Sequence, residues 1–130
     1  MATESKGKTI TLWALRVILA LAFLAAGGSK LAGAPPMIAV FAKIGFGQWF
    51  RALTGLLEVV GAVGLLFPRF TFYAAALLAV VMVGALGFHL TLLGGNPAPV
   101  VVLLALGALT AWLTRNSAKP LSTRPFLKQA

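Results

Sequence analysis

The chain has 130 residues, of which 60% are hydrophobic and 10% are charged, and its formal net charge is +9. Soluble domains contain about 25% charged residues, so this composition excludes an ordinary soluble domain and predicts one compact membrane domain. Lys and Arg lie mostly in the tails and at the ends of apolar segments, without the basic stripe interleaved with aromatic residues that nucleic-acid binding requires. The sequence contains no cysteine, which excludes disulfides and thiolate-bound clusters within the chain.

Four apolar segments are long enough to predict transmembrane helices. The predicted segments are a polar tail at 1–8, spans at about 9–28, 50–67, 70–93 and 98–113, and a basic tail at 114–130. Two prolines and a one-sided apolar pattern predict a short interfacial or re-entrant helix at about 36–45. Trp49 follows it as an aromatic anchor at the headgroup level. The predicted fold is all-α, an integral membrane bundle of four transmembrane helices.

The distribution of Lys and Arg predicts the orientation of this bundle. An even number of spans puts both termini on one side, which carries Lys6, Lys8, Arg69, Arg115, Lys119, Arg124 and Lys128. The opposite side carries Lys30, Lys43 and Arg51. The positive-inside rule therefore predicts cytoplasmic termini in a cell (inner or plasma) membrane.

Four ionisable residues lie within or beside the spans, namely Arg16, Lys30, Glu58 and His89. A charge at the bilayer centre costs about 2.5–3.5 kcal/mol, so each must be paired, neutralised or exposed to a water-filled cavity. The helical rise puts Glu58 about 12 Å and His89 about 7 Å below the outer ends of their helices. We predict a polar or ligand-binding cluster of Glu58 with His89, Lys30 or Arg16, with the partner left open. The structural alternative is that the pair only locks two helices together, while Arg16 and Lys30 reach toward the interface.

Small residues near these polar positions predict close helix packing. Gly55 and Gly61 share a helical face with Glu58, and Gly84 lies near the face of His89. One histidine and one membrane carboxylate do not form a usual metal site, and no catalytic triad or carboxylate pair occurs. We therefore predict no metal site, and the residues identify no self-contained catalytic site.

Three segments resemble the DoxX-like family of small four-helix membrane proteins when they occur in this order. They are LRVILALAFLAAGGSKLAG (15–33), FAKIGFGQWFRALTGLLEVVGAVGLLFP (41–68) and AAALLAVVMVGALGFHL (74–90), followed by a plain apolar helix. The resemblance implies a four-helix bundle and a link to quinone- or thiol-related membrane oxidoreductase complexes. A related branch acts as an assembly chaperone, and the family provides no agreed catalytic mechanism.

Three hypotheses follow. The first is an accessory subunit of a membrane redox or stress-response system that binds a quinone or lipidic molecule in the bundle. The second is a small dimeric proton-coupled transporter that uses Glu58. The third is an assembly module without chemistry of its own. The expected partners are the lipid bilayer, a second copy of the chain in a homo-oligomer, and a redox partner protein.

Overall fold

Helices make up most of the chain in the computed structural model, which describes the backbone of 2–118 and the side chains of 7–116. Their order along the chain is α1 (Ala2–Ala32), α2 (Pro35–Ile44), α3 (Gln48–Leu65), α4 (Thr71–Phe88), a π-helical turn (His89–Leu93), α5 (Ala98–Thr114) and a 3₁₀ turn (Arg115–Ala118). No strand occurs within this described part of the chain. The prediction of an all-α fold is therefore confirmed.

The short helix α2 begins and ends at residues with the expected backbone chemistry. Pro35 and Pro36 occupy its first turn, where a missing N–H costs no intrahelical hydrogen bond. Gly45 ends it in the left-handed region with φ 88°, and its N–H donates to the carbonyl of Phe41. The chain then turns into α3 within a few residues, and α2 contacts α1, α3 and the π-helical turn at one end of the bundle.

The bundle is built from two main helix pairs, α1 with α3 and α4 with α5, and α3 also packs against α4. The core that these helices share contains both small and large apolar side chains. The buried apolar residues at its centre are Leu19, Ala20, Phe23, Ala62, Leu65, Ala74, Ala75, Leu78 and Met82.

The outer surface of the bundle is unusually apolar. Leu21, Val80 and Leu90 are each more than 60% exposed. Two segments, Gly7–Ala32 and Thr71–Leu93, are long and apolar enough to cross a membrane by length and composition. Helix α3 contains Arg51 and Glu58, and α5 has only 17 residues, so neither meets the same test. A bundle with four spans remains a prediction.

The structure differs from the predicted segments at two places. Helix α1 begins at Ala2 instead of following an eight-residue tail, because no proline interrupts the helical turns before the first apolar segment. The third predicted span changes at His89 from an α-helix to a π-helical turn. Lys119, Arg124 and Lys128 in the predicted basic tail lie outside the described residues.

Candidate functional site

Two glycines allow α1 and α3 to approach closely enough to bring opposite charges together. A Cβ atom at Gly27 would lie 2.8 Å from the carbonyl oxygen of Gly55 and 3.0 Å from the Cβ of Glu58. A Cβ at Gly55 would lie 2.8 Å from the Cβ of Lys30. Each glycine therefore faces the residue that carries the charge on the other helix, and any larger residue would separate the two helices.

Lys30 and Glu58 form an ion pair at this contact. The Nζ of Lys30 lies 2.8 Å from the Oε1 of Glu58, and the two side chains are 15% and 1% exposed. Glu58 Oε1 makes no hydrogen bond of regular geometry, so the contact is mainly one between charges. Among the predicted partners of Glu58, the structure therefore brings Lys30 into direct contact.

Arg51, which in the sequence indicated only the topology, fixes the backbone around this pair. Its Nη1 donates a hydrogen bond to the carbonyl of Lys30 at the end of α1. Its Nε donates to Gln48 Oε1 at 2.7 Å, and Gln48 Nε2 donates to the carbonyl of Ile38 at 3.2 Å. One arginine thus ties the end of α1 to the start of α3 and, through Gln48, to α2. The signal in the sequence that could have predicted this contact is an arginine in the first turn of α3, where carbonyls at the end of α1 are within reach.

A cavity of about 700 Å³ lies next to the ion pair. It is lined by the end of α1, by α2, α3 and α4, by the π-helical turn and by the start of α5, and it is partly open to the outside. Its walls are mostly apolar, and the polar side chains that line it are Lys30, Lys43, Thr54, Glu58 and His89. This volume lies within the usual range for small-molecule pockets, which combine apolar walls with a few polar groups.

Gly84 lies in the wall of this cavity and does not pack against another helix. A Cβ atom at Gly84 would meet no other atom within 4 Å. Within this chain α4 therefore faces open space at Gly84, and a packing role for this glycine stays a prediction. Gly61 does approach another helix, since a Cβ there would lie 2.7 Å from the side chain of Leu78.

His89 begins the π-helical turn at the outer end of the cavity. Its Nδ1 donates to the carbonyl of Gly94 at 3.2 Å, and the N–H of Gly94 donates back to the carbonyl of His89 at 3.0 Å. Because Nδ1 is used in this way, Nε2 is the ring nitrogen left for another partner. Within the described part of the chain, His89 and Glu58 share the cavity without touching each other. Single π-helical turns of this kind are often found at functional sites.

Arg16, the third candidate partner of Glu58, lies far from the ion pair and does not contact it. It precedes Lys30 by about 21 Å along α1, which is longer than an arginine side chain can reach. Its Nε donates to the carbonyl of Leu65 at 2.6 Å, and its guanidinium lies 3.8 Å from the centre of the Trp13 ring. The last carbonyls of a helix have no intrahelical donor, and this one attracts the buried cation.

Trp49 lies in the first turn of α3 and is 64% exposed. Its ring packs edge-on against Phe50, with 5.7 Å between the ring centres. Phe50 in turn contacts Phe46 and Phe88, so an aromatic cluster joins the end of α2 to the end of α4. The role of Trp49 as a membrane anchor remains a prediction.

The described side chains offer no group of three or more His, Cys, Asp or Glu residues that could hold a metal ion.

Comparison with known protein families matches residues 14–115 to the DoxX-like family, which confirms the resemblance predicted from the sequence. No individual curated protein and no solved structure matches the chain.

Proposed function

Because the chain belongs to the DoxX-like family, we propose that it is an integral membrane protein that binds a lipidic or quinone-like molecule inside its bundle. In this proposal the protein is an accessory subunit of a membrane redox or stress-response system. The observation that carries it is the cavity of about 700 Å³ with apolar walls beside the Lys30–Glu58 pair.

In the proposed topology, α1, α3, α4 and α5 cross the bilayer, and α2 lies at the outer surface. The apolar exterior of the bundle supports this arrangement, because exposed apolar side chains such as Leu21 and Val80 would be solvated by lipid. The distribution of Lys and Arg favours cytoplasmic termini. The homo-oligomer and the redox partner protein expected from the sequence are part of the same proposal.

The dimensions of the cavity suit a molecule with a long apolar part. Its lining on α4 extends from His89 to Val80, which is about 13 Å along the helix. Glu58 lies ten residues into α3, so its carboxylate is at the deep end, while His89 is at the outer end. A bound molecule would therefore meet a hydrogen-bonding group at either end and apolar side chains between them.

The chain's own residues support an accessory role. It has no cysteine and one histidine, so it cannot hold a thiolate-bound cluster or a bis-histidine haem by itself. Electrons in any redox reaction would come from the bound molecule or from a partner protein. The contribution of the chain is to bind the molecule, to exclude water and to present Glu58 and His89 to it.

A pair of glycine substitutions in α4 tests whether the cavity is occupied. Gly84 lines the cavity and Gly87 does not, while a Cβ atom at either position has open space around it. We expect Gly84→Leu to fill part of the cavity and to displace a copurifying small molecule, and Gly87→Leu to retain it. The measurement is mass spectrometry of molecules extracted from gently purified wild-type protein and both variants. The same bulk lipids in all three samples would contradict the proposed function.

A further inference from the structure

The cavity lining carries more positive charge than the chain can neutralise. Lys30 and Lys43 line the cavity, and Glu58 is the one carboxylate among the described side chains. That carboxylate is already paired with Lys30. The sequence contains one other acidic residue, Glu4, which lies about 39 Å from Lys30 along α1.

Lys43 faces the cavity. It lies in the last turn of α2, lines the cavity, and its Nζ donates to the carbonyl of Leu93 at 3.3 Å. A lysine that only extended toward the headgroups would direct its ammonium away from the bundle. This contact directs it across the cavity mouth to the π-helical turn, and the ammonium retains two further N–H groups to donate.

His89, the first residue of the same turn, contacts the residue that follows it. Its Nδ1 contacts the carbonyl of Gly94, the residue after the one that accepts from Lys43. Two consecutive carbonyls therefore accept from the ammonium of Lys43 and from the imidazole of His89. The ammonium of Lys43 has no acidic partner among the described side chains and lies at the lining of a mostly apolar cavity.

We propose that the molecule bound in this cavity is an amphiphile with an anionic head group, either a carboxylate or a phosphate, which Lys43 binds at the mouth. Its apolar chain extends inward along α4 and α5, against side chains such as Val81 and Leu103. The inference rests on the proposed function, and it narrows the class of molecule that the cavity takes. An anionic head group supplies a counter-charge for Lys43, whereas a cationic one would meet the like charge of Lys43.

The test compares head groups on one chain length. Dodecanoate, dodecyl phosphate and dodecanol are titrated into the full chain in an uncharged detergent, and binding is measured by thermal stabilisation. We expect the anionic probes to bind about tenfold more tightly than the alcohol, a difference of about 1.4 kcal/mol, because Lys43 donates a charge-assisted hydrogen bond to them. The tighter of the two anionic probes then distinguishes a fatty-acid ligand from a phospholipid-like one.

Lys43→Gln should reduce the affinity for the anionic probes about tenfold and leave the affinity for dodecanol unchanged. Lys43→Arg should retain the preference, because it keeps the charge. Arg69→Gln is the matched control, since it removes a cation from the turn between α3 and α4, away from the cavity lining.

Two results would separate failure of this inference from failure of the proposed function. Equal affinity for all three probes, unaffected by Lys43→Gln but lost in Gly84→Leu, would overturn the anionic head group and keep the cavity as a binding site. No saturable binding of any probe would overturn both.

Discussion

Replacing Lys30 with Met leaves the carboxylate of Glu58 buried without its cation. Glu58 is 1% exposed, so its side chain cannot reach water in the folded state. Breaking a buried ion pair by removing one partner costs about 3–5 kcal/mol. The loss of stability cannot greatly exceed about 4 kcal/mol, because that is the cost of protonating an ordinary carboxyl group at pH 7. We therefore expect Lys30→Met to lower the free energy of unfolding by about 3–4 kcal/mol.

The reverse substitution should be milder. In Glu58→Gln the remaining charge is on Lys30, whose side chain is 15% exposed and long enough to carry its ammonium toward the interface. We expect a loss of about 1–2 kcal/mol. In the double variant neither charge remains, so its loss should be about 2 kcal/mol smaller than the sum of the two single losses.

The assay is reversible unfolding of the four proteins in mixed micelles, at a fixed detergent composition and at two pH values. Lowering the pH from 8 to 5 should restore stability in Lys30→Met, because protonation removes the uncovered charge, and should change the double variant little. Additive losses from the two substitutions would refute the argument, since they would mean that each charge is solvated separately by water in the cavity.

Three further predictions concern backbone contacts in the bundle. Gly27→Ala should cost about 1–3 kcal/mol in thermal or denaturant unfolding, because its Cβ would lie 2.8 Å from a backbone oxygen. Gly28→Ala should raise the free energy of unfolding by up to about 1 kcal/mol, because no atom lies within 4 Å of the added Cβ. Equal effects of the two substitutions would contradict the close contact of α1 with α3. Thr71→Val should cost about 1 kcal/mol, since the buried hydroxyl donates to carbonyls at the end of α3, and an unchanged midpoint would count against that role. His89→Asn should keep the wild-type unfolding midpoint while His89→Leu lowers it, because an amide can replace the donor at Nδ1.

The order and type of the helices could be predicted because apolar runs and their breakers are local signals. The prolines before α2 and the glycine after it mark its ends in the sequence itself. The inward direction of Glu58 could also be predicted, since Gly55 and Gly61 share its helical face and small residues mark contacts between helices.

The choice among the partners of Glu58 could not be made from the sequence. Lys30, His89 and Arg16 were all candidates, because sequence spacing fixes depth in the bilayer and leaves open which faces meet. The close contact of Gly27 with Gly55 decides in favour of Lys30, and it depends on how two helices that are distant in sequence cross. Arg16 instead donates to the carbonyl of the last residue of α3. Every helix end offers carbonyls of this kind, and no residue pattern marks which one will accept.

During synthesis, α1 leaves the ribosome before either partner of its buried cations has been made. Both partners are on α3, where the carboxylate of Glu58 meets Lys30 and the carbonyl of Leu65 meets Arg16. In the proposed topology, α1 enters the membrane before its two cations have their partners, and α3 supplies both. From Thr71 to Thr114 the chain contains no Lys, Arg, Asp or Glu, so α4 and α5 can partition into lipid without a partner. The insertion of α3 is therefore the step of biogenesis that pairs both buried cations of α1.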